Sequence, residues 1–151
     1  MPNISGVEVR VFSSAPIMNI ASEIDKLNLS PDQYVVIGSG ILNQLGIRKT
    51  DDLDFIVNTE MFNKFKSKPG WVEKSWPQGE PTLQKGRYEI GTDWGDDTNI
   101  YSFEEVFNNS KVVSGVRFVT LEFLRQWKAK KGRQKDLNDI ILIDEYLKKH
   151  S

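Results

Sequence analysis

The chain has 151 residues, a formal charge of −1, no cysteine and one histidine, His150. That length suits one domain over residues 1–151 with a core that needs no staples, and the missing thiols exclude a disulfide framework, a cysteine-liganded zinc site and a thiol nucleophile. A lone histidine excludes a histidine triad or histidine metal cluster, and near-neutrality excludes a global attraction to nucleic acid or anionic membrane.

The opening "MPNISGVEVRVF" lacks the basic flank and apolar core of a secretory signal. No apolar run approaches the roughly 18 residues needed to span a bilayer, so a cytoplasmic protein with no membrane partner is expected. In chain order, residues 6–12 alternate Val7, Val9 and Val11 with polar partners and predict a short strand or arm. Residues 16–27 carry Ile17, Ile20, Ala21, Ile24 and Leu27 at helical spacing, and "LSPD" ends that helix. "YVVIG" reads as a strand, residues 39–45 as a short helix, "IRKTDD" as a polar connection and "LDFIV" as a second strand. Thr59 is placed to cap a helix running to about residue 66.

Residues 71–94 predict short strands joined by Pro/Gly turns, with "GRYEIGTDW" the best of them. Ser102 caps a short helix, "FEEVFNN", and "KVVSGVRFV" reads as a hairpin or a bulged strand. Thr120 opens a helix with Leu121, Leu124 and Trp127 on its apolar face, and Gly132 ends it. A last helix from about residue 134 to 149 has Leu137, Ile140, Ile141 and Leu147 near one stripe, interrupted by Asp144. The order predicts an α/β or α+β fold. It has a small mixed sheet flanked by helices and a C-terminal helical pair from about residue 120.

The stretch "GSGILNQLGIRKTDDLDFIV" holds the first chemistry. A strand ending in Gly38-Ser39-Gly40 and feeding a helix offers backbone N–H groups and a hydroxyl to a phosphate. It is neither a Walker loop nor a dinucleotide fingerprint, because both the Gly-Lys-Ser/Thr ending and the third glycine are missing. Asp52 and Asp54 are two residues apart in a strand-like run, so they share a face while Leu53 and Phe55 turn to the core. Two carboxylates that close repel unless a cation neutralises them, and hard oxygen ligands suit Mg²⁺ or Mn²⁺. The bland alternative is a pair of solvated charges at a strand's start.

Together, Ile37-Gly38-Ser39 and Asp52-Leu53-Asp54-Phe55 resemble the signature of the DNA polymerase β-like nucleotidyltransferase superfamily. Further along, Lys128, Gly132, Arg133, Lys135, Asp136 and Asp139 look like the C-terminal segment of small bacterial nucleotidyltransferases related to the AbiEii group. The resemblance spans roughly residues 34–147. It implies a nucleotidyltransferase fold and transfer of a nucleoside monophosphate from a nucleoside triphosphate to a hydroxyl acceptor. By the same resemblance Asp52, Asp54 and a third carboxylate hold Mg²⁺ or Mn²⁺, and Gly38 and Ser39 bind phosphate. The candidates for the third carboxylate, Glu89 and Asp93, share a face of "YEIGTDW" by alternation. Glu89 is assigned, with Asp93 in reserve, because its placement before the Phe-Glu-Glu helix resembles the family's third-carboxylate strand.

Lys128, Arg133 and Lys135 are candidates for phosphate binding, with Arg48 and Lys49 behind them. Lys135 and Asp139, four apart on a helix, could instead pair with each other. Asp136 could orient the basic residues. Asp51, Asp96 and Asp97 read as loop residues. Among the tryptophans, Trp127 reads as core and Trp94 as the better stacking candidate, although packing suits Trp71, Trp76, Trp94 and Trp127 alike. The acceptor could be a small molecule such as an aminoglycoside or lincosamide, the 3′ end of tRNA, or a protein hydroxyl in a toxin–antitoxin setting. The alternative is a non-catalytic nucleotide-binding or toxin–antitoxin-type interaction module of the same fold, acting with a partner protein.

Overall fold

The computed structural model describes residues 17–96 and 98–150, so the strand expected at residues 6–12 lies outside the described residues. Helix α1 is Ile20–Lys26, capped by Asn19, whose side chain accepts from the Ser22 N–H. Strand β1, Tyr34–Ile37, is buried at all four positions. That fits an unbroken apolar run at the centre of a sheet covered on both faces. Helix α2, Gly40–Gln44, follows at once, and β2 is Leu53–Val57. Helix α3, Thr59–Lys66, is capped by Asn58 rather than Thr59: the Asn58 side chain accepts from the Met61 N–H, and Thr59 is the first helical residue.

Strands β3 (Val72–Lys74), β4 (Thr82–Lys85) and β5 (Tyr88–Gly91) extend the sheet. Its order is completed by β8 (Ser110–Val113) and β9 (Val116–Val119), giving seven strands in the sequence β3-β4-β5-β2-β1-β9-β8. The pairs β2–β5 and β1–β9 are parallel and the rest antiparallel, so the sheet is mixed. "KVVSGVRFV" is a hairpin. Its turn residues Ser114 and Gly115 both have positive φ, 51° and 82°, the geometry whose twist matches the flanking strands.

"GRYEIGTDW" does not form one strand. The ladder breaks at Thr92, and β6 (Asp93–Gly95) leaves the main sheet to pair with β7 (Ile100–Ser102). Helix α4, Phe103–Phe107, starts in the expected way, with Ser102 and Glu105 forming a reciprocal capping box.

Helix α5, Leu121–Lys131, is capped by Thr120 and ends at Gly132 in the left-handed region, φ 66°. Helix α6 is Gln134–Lys149. The apolar stripe expected on α6 splits: Leu137 and Ile141 are 44% and 59% exposed, Ile140 is half-buried and Leu147 packs against the core, while Asp136, Asp139 and Ile143 are buried. The outer residue Asp144 pairs with Arg125 of α5. No helix among the described residues is long and apolar enough to cross a membrane.

The two glycines of Gly-Ser-Gly do different jobs. A Cβ at Gly40 would stand 2.3 Å from Val36 Cγ1 and 3.7 Å from Ile20 and Phe118, so this glycine lets α2 lie against β1 and the core. Overpacking of that kind costs about 1–3 kcal/mol. Gly40→Ala should therefore lower the denaturation midpoint in urea by a corresponding amount with an unchanged slope, and an unshifted midpoint would refute the packing assignment.

Candidate functional site

Strand register builds the acidic edge of the site. Asp54 pairs with Ile37 on one side and lies level with Glu89 on the other, across the parallel β2–β5 ladder. Laterally paired residues on neighbouring strands point to the same face, so the two carboxylates stand side by side. Burial, reinforced by the charges of Glu89 and then Asp52, pushes the Asp54 carboxyl from its ordinary 3.8 up to about 6, with Lys135 acting in the opposite direction. Asp52 is exposed, just ahead of β2, and its charge reaches Asp54 although it does not line the cleft.

Glu89 is held in place. Its Oε2 accepts from the Thr82 hydroxyl at 2.8 Å, and Thr82 Oγ1 in turn accepts from the Trp76 indole N–H at 2.9 Å. Asp93 lines the same cleft but sits on β6 beyond the break, where it accepts the Glu80 backbone N–H at 3.1 Å. The shared strand face that made it the reserve to Glu89 is therefore absent. Asp96 lies in a loop, as expected, but is fully buried. It accepts from the backbone N–H groups of Thr98 and Asn99 and from the Tyr101 hydroxyl.

Gly38 turns the chain at the end of β1 with φ 63°, and a Cβ there would lie 3.7 Å from Asp54 Oδ2. Ser39 occupies the N-cap position of α2 but makes no capping bond. Its Oγ accepts from Arg48 Nη2 at 2.7 Å. Because α2 has only five residues, its dipole adds little, and the phosphate seat expected here reduces to Gly38 and the Ser39 hydroxyl.

The basic wall is a network rather than a row of solvated cations. Arg48 forks onto Asp139, Nε to Oδ1 at 2.7 Å and Nη2 to Oδ2 at 2.8 Å. Lys128 Nζ meets Asp139 Oδ2 at 2.8 Å and Asp136 Oδ1 at 3.4 Å. Asp136, in the first turn of α6, also accepts the Arg133 backbone N–H at 3.2 Å and its Nε at 2.6 Å. Burial alone would raise the carboxyls of Asp136 and Asp139. The hydrogen bonds from Arg133 to the first and from Arg48 and Lys128 to the second outweigh it and hold both below the ordinary value.

Two expectations change. Lys128 lines the cleft but is only 4% exposed, and its charge is matched by two carboxylates, so it also braces α5 against α6. Lys135 does not pair with Asp139, whose oxygens are taken by Arg48 and Lys128. Instead Lys135 is exposed, lines the cleft and bears electrostatically on Asp54. Arg133 keeps a half-exposed guanidinium at the cleft, 5.8 Å above the Trp127 ring. Lys49 is exposed and does not line the cleft, and Lys130 bonds the Tyr101 hydroxyl.

The cleft between these walls measures about 650 Å³, a size that admits a nucleotide-sized ligand. Trp94 and Trp127 stack on each other at 4.6 Å between centroids and are both buried, so Trp94 is engaged in packing. The indole open at the mouth is Trp76, 41% exposed, with Lys74 Nζ 4.2 Å from its ring centroid. Sequence reasoning passed over Thr82 and underrated Trp76. The available signal was a tryptophan set among polar, proline and glycine residues in "KSWPQGEP".

Among the described residues no three acidic or histidine side chains form a ready-made metal cluster. The donor chemistry nevertheless fits a hard divalent cation: Asp54 and Glu89 are adjacent oxygen ligands whose repulsion such a charge would relieve. No protein-family model, curated protein or solved structure matches the chain.

Proposed function

We propose that the chain is a metal-dependent nucleotidyltransferase with the nucleotidyltransferase fold. Asp54 and Glu89 on adjacent parallel strands, facing Ser39, Arg133 and Lys135 across one cleft, are the observation that carries this reading. Mg²⁺ or Mn²⁺, held by Asp52, Asp54 and Glu89, would supply Lewis acidity at the reacting phosphoryl group. The protein's own groups account for the rest. Ser39 donates its hydroxyl to a phosphate oxygen beside Gly38. Lys135 and Arg133 neutralise charge on the departing phosphates. Glu89 accepts the proton of the acceptor hydroxyl as its oxygen bonds to the α-phosphorus and the bond to the β-phosphate oxygen breaks, releasing pyrophosphate.

The Thr82 hydroxyl already bonded to Glu89 favours a second reading, nucleotide binding without transfer. Calorimetry with ATP and GTP, with and without Mg²⁺, followed by pyrophosphate-release assays on small-molecule, tRNA and protein acceptors, separates the two. Metal-dependent binding with pyrophosphate release is expected. Binding without release on any acceptor selects the second reading, and no binding at all overturns both.

A further inference from the structure

Ser39 stands where a serine normally caps a helix, yet its side chain does not cap α2. Its backbone lies in the right-handed helical region, φ −80° and ψ 0°, rather than extended as in a capping residue, and its side chain is engaged nine residues on. Arg48 Nη2 donates to Ser39 Oγ at 2.7 Å, and a guanidinium can only donate. Ser39 is therefore fixed as an acceptor toward Arg48, so its own hydroxyl hydrogen must point elsewhere. Among the described residues it finds no protein acceptor, and the side chain lines the cleft.

Arg48 is itself oriented by Asp139, through two short bonds at 2.7 and 2.8 Å, and its remaining Nη1 donates to the Lys49 carbonyl at 3.1 Å. Asp139 is 4% exposed and is held from its other side by Lys128 at 2.8 Å. The guanidinium is thus charge-matched by a carboxylate, with four of its five N–H groups bonded, which suits it to orient a neighbour.

We infer that Asp139 and Arg48 are positioning residues that turn the Ser39 hydroxyl proton into the cleft, making it a donor for an acceptor-only anion such as a phosphate oxygen. The inference rests on the phosphate-binding reading of the cleft and adds the residues that prepare it. A hydroxyl already accepting a charge-assisted bond is polarised and donates more strongly.

The test is a double-mutant cycle on the affinity for MgATP and, separately, for inorganic triphosphate, measured by calorimetry on the full chain. Ser39→Ala and Arg48→Gln should each weaken both probes by roughly tenfold, about 1.4 kcal/mol. The double variant should be no weaker than the worse single one, because without Arg48 the hydroxyl is no longer aimed. Asp139→Asn, which keeps the shape but opposes an N–H₂ to its donors, should weaken binding less and should likewise lose its effect once Ser39 is alanine. Thermal midpoints of each variant show that the fold is retained, and Asp139→Asn carries the test should Arg48→Gln not fold. Additive losses, or an unchanged affinity in Arg48→Gln, overturn the relay while leaving nucleotide binding intact. A wild-type chain that binds neither probe overturns the phosphate reading and the relay with it.

Discussion

Replacing Asp54 with asparagine should make the protein more stable at pH 7 while removing the metal-dependent nucleotide chemistry proposed for it. Asp54 is desolvated and faces Glu89 and Asp52, so its carboxyl holds its proton up to about pH 6 instead of 3.8. A carboxyl whose pKa rises on folding keeps its proton longer in the native than in the unfolded chain. Its contribution to stability is therefore complete below the unfolded value and is lost as pH rises from about 4 to about 6. Asparagine keeps the shape without the charge and escapes that loss, a gain of about 1–3 kcal/mol at neutral pH.

At roughly 2–4 °C per kcal/mol for a chain of this length, the melting midpoint should rise by about 4 °C. The difference from wild type should shrink toward pH 4. Mg²⁺ should raise the wild-type midpoint at pH 7 and leave that of Asp54→Asn unmoved, and pyrophosphate release should fall below detection. A variant that melts lower than wild type at pH 7, or that keeps full activity, contradicts the assignment of Asp54.

The second large effect separates two lysines that the sequence placed in one cluster. Lys128→Ala removes a buried ammonium shared by Asp136 and Asp139. Breaking buried pairs costs about 3–5 kcal/mol. Each carboxylate keeps one arginine, Arg133 or Arg48, so the loss should fall at the lower end of that range. Lys135→Ala, at an exposed position of the cleft wall, should change stability by less than about 0.5 kcal/mol yet weaken MgATP binding roughly tenfold. Urea unfolding and calorimetry on the two variants check both halves. Equal stability of Lys128→Ala and wild type would contradict the bracing role of Lys128.

Much of the frame was legible because apolar runs and caps are local signals. "YVVI" and "LDFIV" announced buried strands, Ser102 and Thr120 announced helix starts, and Gly132 announced a helix end. The period-two spacing of the aspartates also picked out Asp54, whose neighbour in the sheet is the glutamate chosen as third carboxylate. What failed depended on distant partners. On α6 the apolar count favoured the face with Leu137 and Ile141, while the buried face carries Asp136 and Asp139. Two buried charges are tolerable there only because Lys128, Arg133 and Arg48 meet them, and Arg48 is 91 residues from Asp139 in the chain. Likewise the break at Thr92 was invisible in "YEIGTDW", because pairing of Asp93 with Ser102 decides it.

The clamp of Arg48 on Asp139 has a mechanical side. It ties the segment between α2 and β2 to α6, and Lys128 ties α6 to α5, so that jaw of the cleft is cross-braced. The opposite jaw, residues 75–81, contains no helix or strand, and its residues 75–80 are exposed. Trp76 rides on it, anchored through Thr82 to Glu89. A displacement of that loop would therefore reach Glu89 through Trp76 and Thr82.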